Sequence, residues 1–460
     1  MTALRSRKVI LITAIAVVLQ GMTLALMAYA GHVHSLNIPR LTGDANGYAH
    51  LAENLLRNHA FSIVDNPPFT HQSFRTPGYP VFLAALLAIF QSWWAVLIVQ
   101  ALMLCAVPPL LYLYLRRWHE PSAFIAACIF AIEPIRLYLS ATLLTDALFA
   151  GLFLLTLLVL ERTRTEYRMA FVLGFVCGIA TLIRPISQFL PLVYIAYLAL
   201  SSAYVWRIRF AAIGLMCISF ALVVLPWSYR NFVYFGAWEL SAVSSANLAF
   251  YNAPEFLKFR PDIEKQRAFD AFLKEQVNMP SEDAYSLARE GRFREVFRST
   301  IQGHEFEYAF FHVLKTIPFF VTDGLRDTLR LFRIDTGQSP NITGAIMDGN
   351  SALIMEYVRQ GGLPIVLLFV GSLFWTAVTL LFGIEVLSSL WRREWIPIVF
   401  VTILVGYFAI LTGPVSNARY RLPVEGLLLY GAARTVFRIK DAYRERREIA
   451  RDSRNFRPML

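Results

Sequence analysis

The sequence predicts an all-α polytopic membrane protein, with about ten transmembrane helices, external juxtamembrane helices and a smaller external helical region. Hydrophobic residues make up 57% of the 460-residue chain and charged residues only 16%, and the mean hydropathy is +0.50. Such values are typical of helical membrane proteins. Apolar runs such as residues 9–30 and 94–115 reach the length of about 20 residues that a helix needs to cross a bilayer. The distribution of basic residues, described next, supports the same class.

Basic clusters orient the chain. Arg5, Arg7 and Lys8 precede the first apolar run, which places the N-terminus in the cytoplasm. Later basic clusters at residues 116–117, 162–168 and 207–209 are separated by two apolar runs each, so all three lie on the cytoplasmic side. The net charge of +11 follows from this pattern and does not indicate nucleic-acid binding.

The short apolar segment 80–90 is below the length of a span. We therefore expect it to lie along the interface as a juxtamembrane helix. The ten predicted spans cover residues 9–30, 94–115, 122–138, 143–160, 169–183, 188–205, 210–227, 363–388, 396–413 and 421–437.

Four parts follow from this topology. Residues 1–227 form a seven-span transmembrane catalytic module that includes an external loop at residues 31–92, and residues 228–362 form an external loop region. Residues 363–438 form three C-terminal spans, and residues 439–460 a basic cytoplasmic tail. The expected location is the inner (cell) membrane, with both termini cytoplasmic and the active site external.

A lone carboxylate and a lone guanidinium in the first external loop are the leading site candidates. Asp44 follows the first span, and Arg75 lies in the run FRTPGYP. Ionisable groups at the ends of spans are candidates for function. Arginine binds phosphate oxygens through two donors, and a carboxylate can deprotonate a hydroxyl nucleophile. Asp44 is also a favoured helix N-cap residue, and a cap position leaves the side chain accessible.

Metal binding is a less favoured alternative. His32, His34 and His71 are near Asp44 in sequence, but their spacing matches no standard zinc motif. The four cysteines lie far apart within apolar runs and are typical of small core residues. We predict no certain cofactor and leave a divalent cation open.

Six motifs in a fixed order resemble the bacterial branch of the glycosyltransferase C superfamily, a branch that is similar to the protein O-mannosyltransferases and the lipid A aminoarabinose transferase. The resemblance covers most of residues 1–240 and the stretch around 413–426. The motifs are GDANGYAHLAENLL, RTPGYPVFLAALL, EPIRLYLSATLLTDALF, GIATLIRP, LPWSYRNFVYFG and NARYRLPV.

The resemblance implies transfer of a sugar from a polyprenyl-phosphate donor to an acceptor on the external face. It implies that Asp44 is the base and that Arg75 binds the lipid phosphate, together with Arg184 of the LIRP turn and Arg419 and Arg421 of the ARYRLP turn. Many relatives carry a second acidic residue beside the loop aspartate. Here that position is Ala45, so the resemblance leaves metal dependence open.

The predicted function is therefore an inverting integral-membrane glycosyltransferase, a hexosyl- or pentosyltransferase, whose acceptor is a glycan, a lipid or a protein. One carboxylate among cations fits direct displacement better than the paired carboxylates of glycoside hydrolases. The alternative is a transporter or flippase of a polyprenyl-linked or other anionic lipid, although transporters tend to carry charges near the midplane and internal repeats. Further candidates for substrate contact are Tyr48, Tyr79, Glu133, Asp146 and Arg230.

Overall fold

The computed structural model describes residues 2–29, 43–64, 66–201, 204–332 and 362–455, together with single residues 334, 352, 355 and 359. The described part of the chain is mainly helical and contains no strand. The prediction of an all-α multi-pass membrane protein is confirmed. A helix, Gly78–Phe90, covers the segment predicted to lie along the interface, whereas its juxtamembrane placement stays a prediction.

The described residues between 2 and 235 form eleven helices and one short 3₁₀ turn at Pro185–Phe189. In chain order the helices are α1 (Thr2–Tyr29), α2 (Gly43–Asn58), α3 (Gly78–Phe90), α4 (Trp93–Cys105), α5 (Val107–Leu115), α6 (Glu120–Ile132), α7 (Pro134–Ser140), α8 (Asp146–Thr163), α9 (Met169–Ile183), α10 (Leu190–Ser201) and α11 (Trp206–Phe235).

A run of short helices follows α11. In chain order it comprises α12 (Val243–Asn247), a π-helical turn (Leu248–Asn252), α13 (Ala253–Phe259), α14 (Ile263–Val277), α15 (Ser281–Ala284), a 3₁₀ turn (Leu287–Arg289), α16 (Glu290–Ile301), α17 (Glu305–Leu314), α18 (Ile317–Val321) and α19 (Leu325–Leu331). We call residues 243–314 the helical insert. It has its own apolar core, formed by Ala246, Ala249, Ala253, Leu257, Phe269, Phe272, Phe293 and Val296.

The C-terminal part contains α20 (Gly362–Trp391), α21 (Trp395–Thr412), a 3₁₀ turn (Gly413–Val415) and α22 (Ala418–Asn455). Two predicted boundaries fall inside helices. The helix α11 continues past residue 227 to Phe235, and α22 joins the last predicted span to the predicted tail without a break. Each of these helices continues past an internal proline, Pro226 in α11 and Pro423 in α22, although proline has no N–H to donate within the helix.

Five segments of the described chain are long and apolar enough to cross a membrane. They are Ser6–Tyr29, Trp93–Leu115, Trp206–Phe235, Leu363–Trp391 and Trp395–Val415. The pair α6 and α7, bent by 54° at Glu133, would be a sixth. These segments correspond to the predicted first, second, third, seventh, eighth and ninth spans.

The other four predicted spans correspond to shorter or more charged helices. The helices α9 and α10 are short, whereas α8 and α22 carry ionisable residues, among them Asp146 and Arg421. Asp146 and Arg421 are fully buried, so α8 and α22 direct these charged side chains into the protein interior. The total of ten spans stays a prediction.

Two glycines bring the helices α9 and α11 into close contact. A Cβ at Gly174 would lie 2.1 Å from the Met216 carbonyl oxygen, and one at Gly178 would lie 2.7 Å from Val223 Cβ. Both glycines are on α9 and both contacts are on α11. Small residues four apart allow membrane helices to pack at short range, which holds the end of α9 in place.

Candidate active site

Five charged side chains from five separate segments of the chain form an unbroken series of ion pairs, which we call the charge ladder. Its order is Arg75, Asp44, Arg419, Asp146 and Arg184. The residues are separated by up to 375 positions in sequence. The fold therefore brings together the predicted base, three of the four predicted phosphate-binding arginines and one predicted substrate contact.

The contacts within the charge ladder are direct. Arg75 Nη2 donates to Asp44 Oδ1 at 2.6 Å, and Arg419 Nη1 lies 3.3 Å from Asp44 Oδ2. Arg419 Nε donates to Asp146 Oδ2 at 2.8 Å, and Arg184 Nη1 donates to Asp146 Oδ1. Each carboxylate thus bridges two arginines, and Arg419 bridges both carboxylates.

Burial changes along the charge ladder. The Asp146 side chain is 0% exposed, whereas that of Asp44 is 40% exposed. Three guanidinium charges contact two carboxylate charges, so one positive charge remains uncompensated within the ladder. A partly buried site with this balance favours an anion, and Asp44 is the carboxylate that solvent or a substrate can reach.

Helix α2 presents Asp44 through its amphipathic pattern. Asp44 lies in the first turn, where a negative charge is stabilised by the helix dipole. The same helix buries Ala45, Tyr48, Ala49 and Ala52, which have the spacing of one helical face. Burial of that face fixes the rotation of α2 and therefore the direction of the aspartate.

Aromatic rings position Arg75. Its guanidinium carbon lies 4.3 Å from the centroid of the Tyr48 ring, a distance suited to cation–π attraction. Tyr48 packs edge-to-face on Tyr79 with ring centroids 4.9 Å apart. Tyr79 is fully buried and donates from its hydroxyl to Gln100 Oε1 at 2.7 Å. Both predicted tyrosine contacts thus lie beside the charge ladder.

Gln100 was not predicted, although a lone amide inside the apolar run 94–115 is a detectable signal. Its Nε2 donates to the Thr142 carbonyl oxygen at 2.7 Å. Thr142 lies in the short connection before α8, whose first residue is Asp146. The amide therefore links α3, through Tyr79, to the segment that delivers Asp146.

Gly78 sets the distance between the two halves of the charge ladder. A Cβ at this position would lie 2.7 Å from the Leu182 carbonyl carbon and oxygen and 2.8 Å from Ile183 Cγ1. The start of α3 therefore packs directly on the end of α9. Because Arg75 and Arg184 flank these two helix ends, the absence of a side chain at Gly78 lets them share one site.

Arg421 lies away from the charge ladder. It is fully buried, donates from Nη1 to the Phe319 carbonyl oxygen at 2.8 Å, and stacks 3.5 Å from the centroid of the Trp375 ring. Its ion-pair partners are Glu425 at 3.6 Å and Glu133 at 4.0 Å. The segment around Arg419 is the first turn of α22 rather than a loop, and residues two apart on a helix point in different directions.

Glu133 belongs to the same buried cluster as Arg421. Its Oε1 accepts from Trp375 Nε1 at 2.8 Å, and its Oε2 accepts from the backbone N–H of Ile135 at 3.2 Å. Glu133 therefore caps α7 at the bend after α6. Glu425 and Trp375 were not predicted, although a glutamate within an apolar run is the same kind of signal as Gln100.

Arg230 lies on α11, apart from both the charge ladder and the buried cluster around Arg421. Its Nη1 donates to the Gln72 carbonyl oxygen and to Asn231 Oδ1, each at 2.8 Å. His71 stacks on Tyr234 with ring centroids 3.7 Å apart. Burial and the neighbouring Arg230 charge lower the pKa of His71. Arg230 thus supports the segment that leads to Arg75 through backbone contacts.

Metal ligation was tested among the described residues. No group of three or more His, Cys, Asp or Glu side chains is placed to hold a metal ion within that part of the chain. His71 contacts an aromatic ring, and His32 and His34 lie outside the described residues. The question of a divalent cation stays open.

The surroundings of Asp44 set its acidity. Burial alone raises the pKa of the Asp44 carboxyl, but the charges and hydrogen bonds of Arg75 and Arg419 outweigh burial and hold the pKa below its ordinary value. A carboxylate in this state is a weak base. Its basicity increases when the arginines move to another anion, because both lowering effects come from them.

Residues 74–229 match the model of the dolichyl-phosphate-mannose-protein mannosyltransferase family. The predicted resemblance to the glycosyltransferase C superfamily is therefore confirmed for this segment. It contains Arg75, Asp146 and Arg184, whereas Asp44 and Arg419 lie outside it. No curated protein sequence matches the chain significantly.

Several solved structures resemble the chain, among them two of an archaeal oligosaccharyltransferase and one of ArnT. The archaeal oligosaccharyltransferase AglB from Archaeoglobus fulgidus, in complex with an inhibitory peptide and a dolichol-phosphate, is 15% identical, with a TM-score of 0.47 over 94% of this chain and 52% of that one. The Archaeoglobus fulgidus oligosaccharyltransferase tethered to an acceptor peptide is 16% identical, with a TM-score of 0.49 over 94% and 50%. This chain thus spans about half the length of those two. ArnT from Cupriavidus metallidurans bound to undecaprenyl phosphate is 14% identical, with a TM-score of 0.38 over 92% and 77%.

Proposed function

We propose that this chain is an integral-membrane glycosyltransferase that moves a sugar from a polyprenyl-phosphate donor to an acceptor hydroxyl, with inversion at the anomeric carbon. The observation that carries the proposal is the charge ladder, in which three arginines meet two carboxylates at a partly exposed site. The family model matched by residues 74–229 supports a polyprenyl-phosphate donor.

The charge balance of the ladder suits this reaction. A polyprenyl-phosphate sugar is a phosphodiester with one negative charge, which neutralises the uncompensated guanidinium charge. The leaving polyprenyl phosphate is a monoester that carries about −1.5 to −2 at neutral pH. When Asp44 takes the acceptor proton and becomes neutral, the site supplies the second positive charge that the monoester needs. The site therefore stays close to neutral before and after transfer.

The reaction is a direct displacement. The acceptor oxygen forms a bond to the anomeric carbon while the bond from that carbon to the phosphate oxygen breaks, and the electron pair leaves with the phosphate. The acceptor hydroxyl proton passes to Asp44, the more exposed carboxylate of the charge ladder. Arg75, Arg184 and Arg419 stabilise the charge that develops on the phosphate.

Donor binding also prepares the base. In the free protein, Arg75 and Arg419 hold Asp44 in its charged form. A donor phosphate competes with Asp44 for these two arginines, and each bond that moves to the phosphate leaves the carboxylate more basic. Deprotonation of the acceptor is thereby favoured after the donor is in place.

The other candidates take supporting roles in this proposal. Asp146 holds Arg184 and Arg419 from the buried end, and Tyr48 and Tyr79 orient Arg75. A second set of candidates, Glu133, Arg421 and Arg230, stabilises helix packing and the chain before Arg75 without contacting the phosphate.

The membrane placement is part of the proposal. Because the basic N-terminus precedes a single span, the positive-inside rule places Asp44 on the external, periplasmic face of the inner membrane and the termini in the cytoplasm. The partners are the lipid-linked donor, the bilayer and an acceptor that is a glycan, a lipid or a protein.

Proteoliposomes test the proposal. They are loaded with a labelled polyprenyl-phosphate sugar, given an extract of cell-envelope acceptors, and assayed with and without EDTA. Release of polyprenyl phosphate with label on an acceptor, lost in Asp44→Asn, is the expected result. Movement of intact donor between leaflets without release would instead support the lipid transporter. The EDTA arm decides whether a divalent cation takes part.

A further inference from the structure

The helical insert contacts the chain just before each of the two arginines that share Asp44. On the Arg75 side the contact is Ser73, which is 1% exposed. Its Oγ accepts from the backbone N–H of Leu287 at 2.9 Å, and its carbonyl oxygen accepts from that of Ala242 at 3.0 Å. The segment two residues before Arg75 is thus held by Leu287 in the middle of the insert and by Ala242, the residue that directly precedes the insert.

On the Arg419 side the contact is His312 of α17. Its Nε2 lies 2.8 Å from the Ile410 carbonyl oxygen near the end of α21. Because a carbonyl oxygen only accepts, Nε2 carries the hydrogen. Tyr308 Oη lies 3.1 Å from His312 Nδ1 and 2.8 Å from Asn252 Oδ1, and the single hydroxyl hydrogen of Tyr308 is shared between these two acceptors. His312 is therefore anchored within the insert and bonded to a membrane-spanning helix.

The His312 ring also rests against Gly413, where φ is +43°. A Cβ at Gly413 would lie 2.3 Å from the ring atom Cε1 and 2.6 Å from Nε2. Only glycine fits both this backbone conformation and this contact. The ring therefore packs directly on the backbone of the turn that ends α21.

Hydrogen bonds restrain the chain from that turn to Arg419. The hydroxyls of Thr412 and Ser416 lie 2.6 Å apart, and the Ser416 N–H donates to the Gly413 carbonyl oxygen at 3.0 Å. Asn417 Oδ1 then accepts from the Arg419 N–H at 2.9 Å. A displacement at Gly413 is thus passed through hydrogen-bonded backbone to the start of α22.

We propose that His312 is a positioning residue for Arg419 and that Ser73 has the same role for Arg75, so that the helical insert orients both arginines that share Asp44. The inference rests on the proposed function. It gives the insert, which lies outside the family match at residues 74–229, a direct part in holding the phosphate.

Double-mutant cycles on lipid-phosphate binding test the proposal. The probe is undecaprenyl phosphate, and its affinity is measured for the full chain in lipid nanodiscs. His312→Ala is expected to weaken binding about tenfold, a change of about 1.4 kcal/mol. In the Arg419→Gln background the same substitution has no further effect, because residues that act through each other are not additive. In the Arg75→Gln background it still weakens binding about tenfold.

Four companion variants sharpen the test. His312→Gln keeps an N–H near the Ile410 carbonyl oxygen and is expected to restore most of the affinity. Gly413→Ala displaces the ring and is expected to reproduce the His312→Ala result, including its dependence on Arg419. Ser73→Ala is expected to couple to Arg75→Gln in the same way. His304→Gln, on the residue preceding α17, serves as the matched control and leaves affinity unchanged.

The outcomes separate the inference from the function. Thermal unfolding of each variant confirms that it folds. If wild-type protein binds the probe and His312→Ala either has no effect or weakens binding equally in the Arg419→Gln background, the positioning role is overturned while the proposed function stands. If wild-type protein neither binds undecaprenyl phosphate nor transfers sugar, the proposed function is overturned, and the positioning role with it.

Discussion

Asp146 holds Arg419 from the buried side of the charge ladder. Arg419 Nε donates to Asp146 Oδ2 at 2.8 Å, whereas its Nη1 lies 3.3 Å from Asp44 Oδ2. Asp146 is fully buried and also accepts from Arg184. We therefore expect the two carboxylates to differ in role, with Asp146 as a fixed anchor and Asp44 as a partner that can exchange.

Replacing the anchor tests this difference. Asp146→Asn removes the charge between Arg184 and Arg419 and leaves buried guanidinium charge unpaired, so we expect a loss of stability of about 3–5 kcal/mol. Asp146→Glu keeps the charge but moves it, so transfer should fall more than stability. Thermal unfolding and transfer assays measure both. Wild-type stability in Asp146→Asn would show that Asp146 anchors neither arginine.

The pH dependence follows from the position of the Asp44 pKa. Arg75 and Arg419 outweigh burial and lower the pKa of Asp44 in the free protein. A depressed pKa means that the ion pairs contribute stability above the unfolded-state pKa of about 3.9 and lose it as the pH falls through the folded-state pKa. The ladder is therefore intact at neutral and mildly acidic pH.

Steady-state kinetics can detect exchange of the arginines. The acid limb of kcat/KM reports the free protein and that of kcat reports the donor complex. If the donor phosphate draws Arg75 and Arg419 away from Asp44, the pKa of Asp44 is higher in the donor complex than in the free protein. We therefore expect the acid limb of kcat at a higher pH than that of kcat/KM. Asp44→Glu should retain the same order of limbs. Coincident limbs in the wild-type protein would contradict exchange.

Gly78 offers a test of the packing that joins Arg75 to Arg184. In Gly78→Ala the added Cβ would meet the Leu182 backbone at 2.7 Å, so α3 must shift from α9 and transfer should fall at least tenfold, about 1.4 kcal/mol in activation free energy. The matched control is Gly151→Ala on α8, where a Cβ meets nothing within 4 Å. It should fold and transfer like wild type. Equal activity in both variants would show that packing at Gly78 is not needed to bring Arg75 and Arg184 together.

Substitution of Arg421 tests whether this arginine stabilises the fold or binds phosphate. Arg421→Gln leaves Glu425 and Glu133 without their buried cation, so we expect a loss of stability of about 3 kcal/mol or more. The affinity of the folded variant for undecaprenyl phosphate should remain near that of wild type. A selective loss of affinity with normal stability would restore the role that the sequence predicted for Arg421.

The sequence predicts the fold class and the members of the charge ladder better than their arrangement. Apolar runs and basic clusters are local signals, which is why the helical class and the helix at α3 are predicted correctly. Asp44 and Arg75 are recognisable because each is a charged residue beside an apolar run, whereas Arg184 and Arg419 are identified through the family resemblance. The pairing of Arg419 with both aspartates depends on packing between segments 273 and 375 residues apart, which no local pattern contains.

Arg421 shows why neighbouring residues in one motif separate in space. The sequence places Arg419 and Arg421 in one turn, but a helix begins at Ala418 and directs the second arginine towards Trp375. His312 shows a second limit, because its role depends on a contact with Gly413 that is one hundred residues away in sequence. Neither residue type nor spacing identifies such a contact.

We propose that Asp44 is the base and that it competes with phosphate for Arg75 and Arg419. The most direct measurement combines undecaprenyl phosphate affinity with sugar transfer in Asp44→Asn, whose folding is checked by thermal unfolding. We expect transfer to fall by about 10²–10⁴-fold while affinity for the lipid phosphate is equal to or higher than that of wild type, since the competing charge is gone. A folded Asp44→Asn protein that transfers sugar at the wild-type rate, or that loses lipid-phosphate affinity, would contradict the claim.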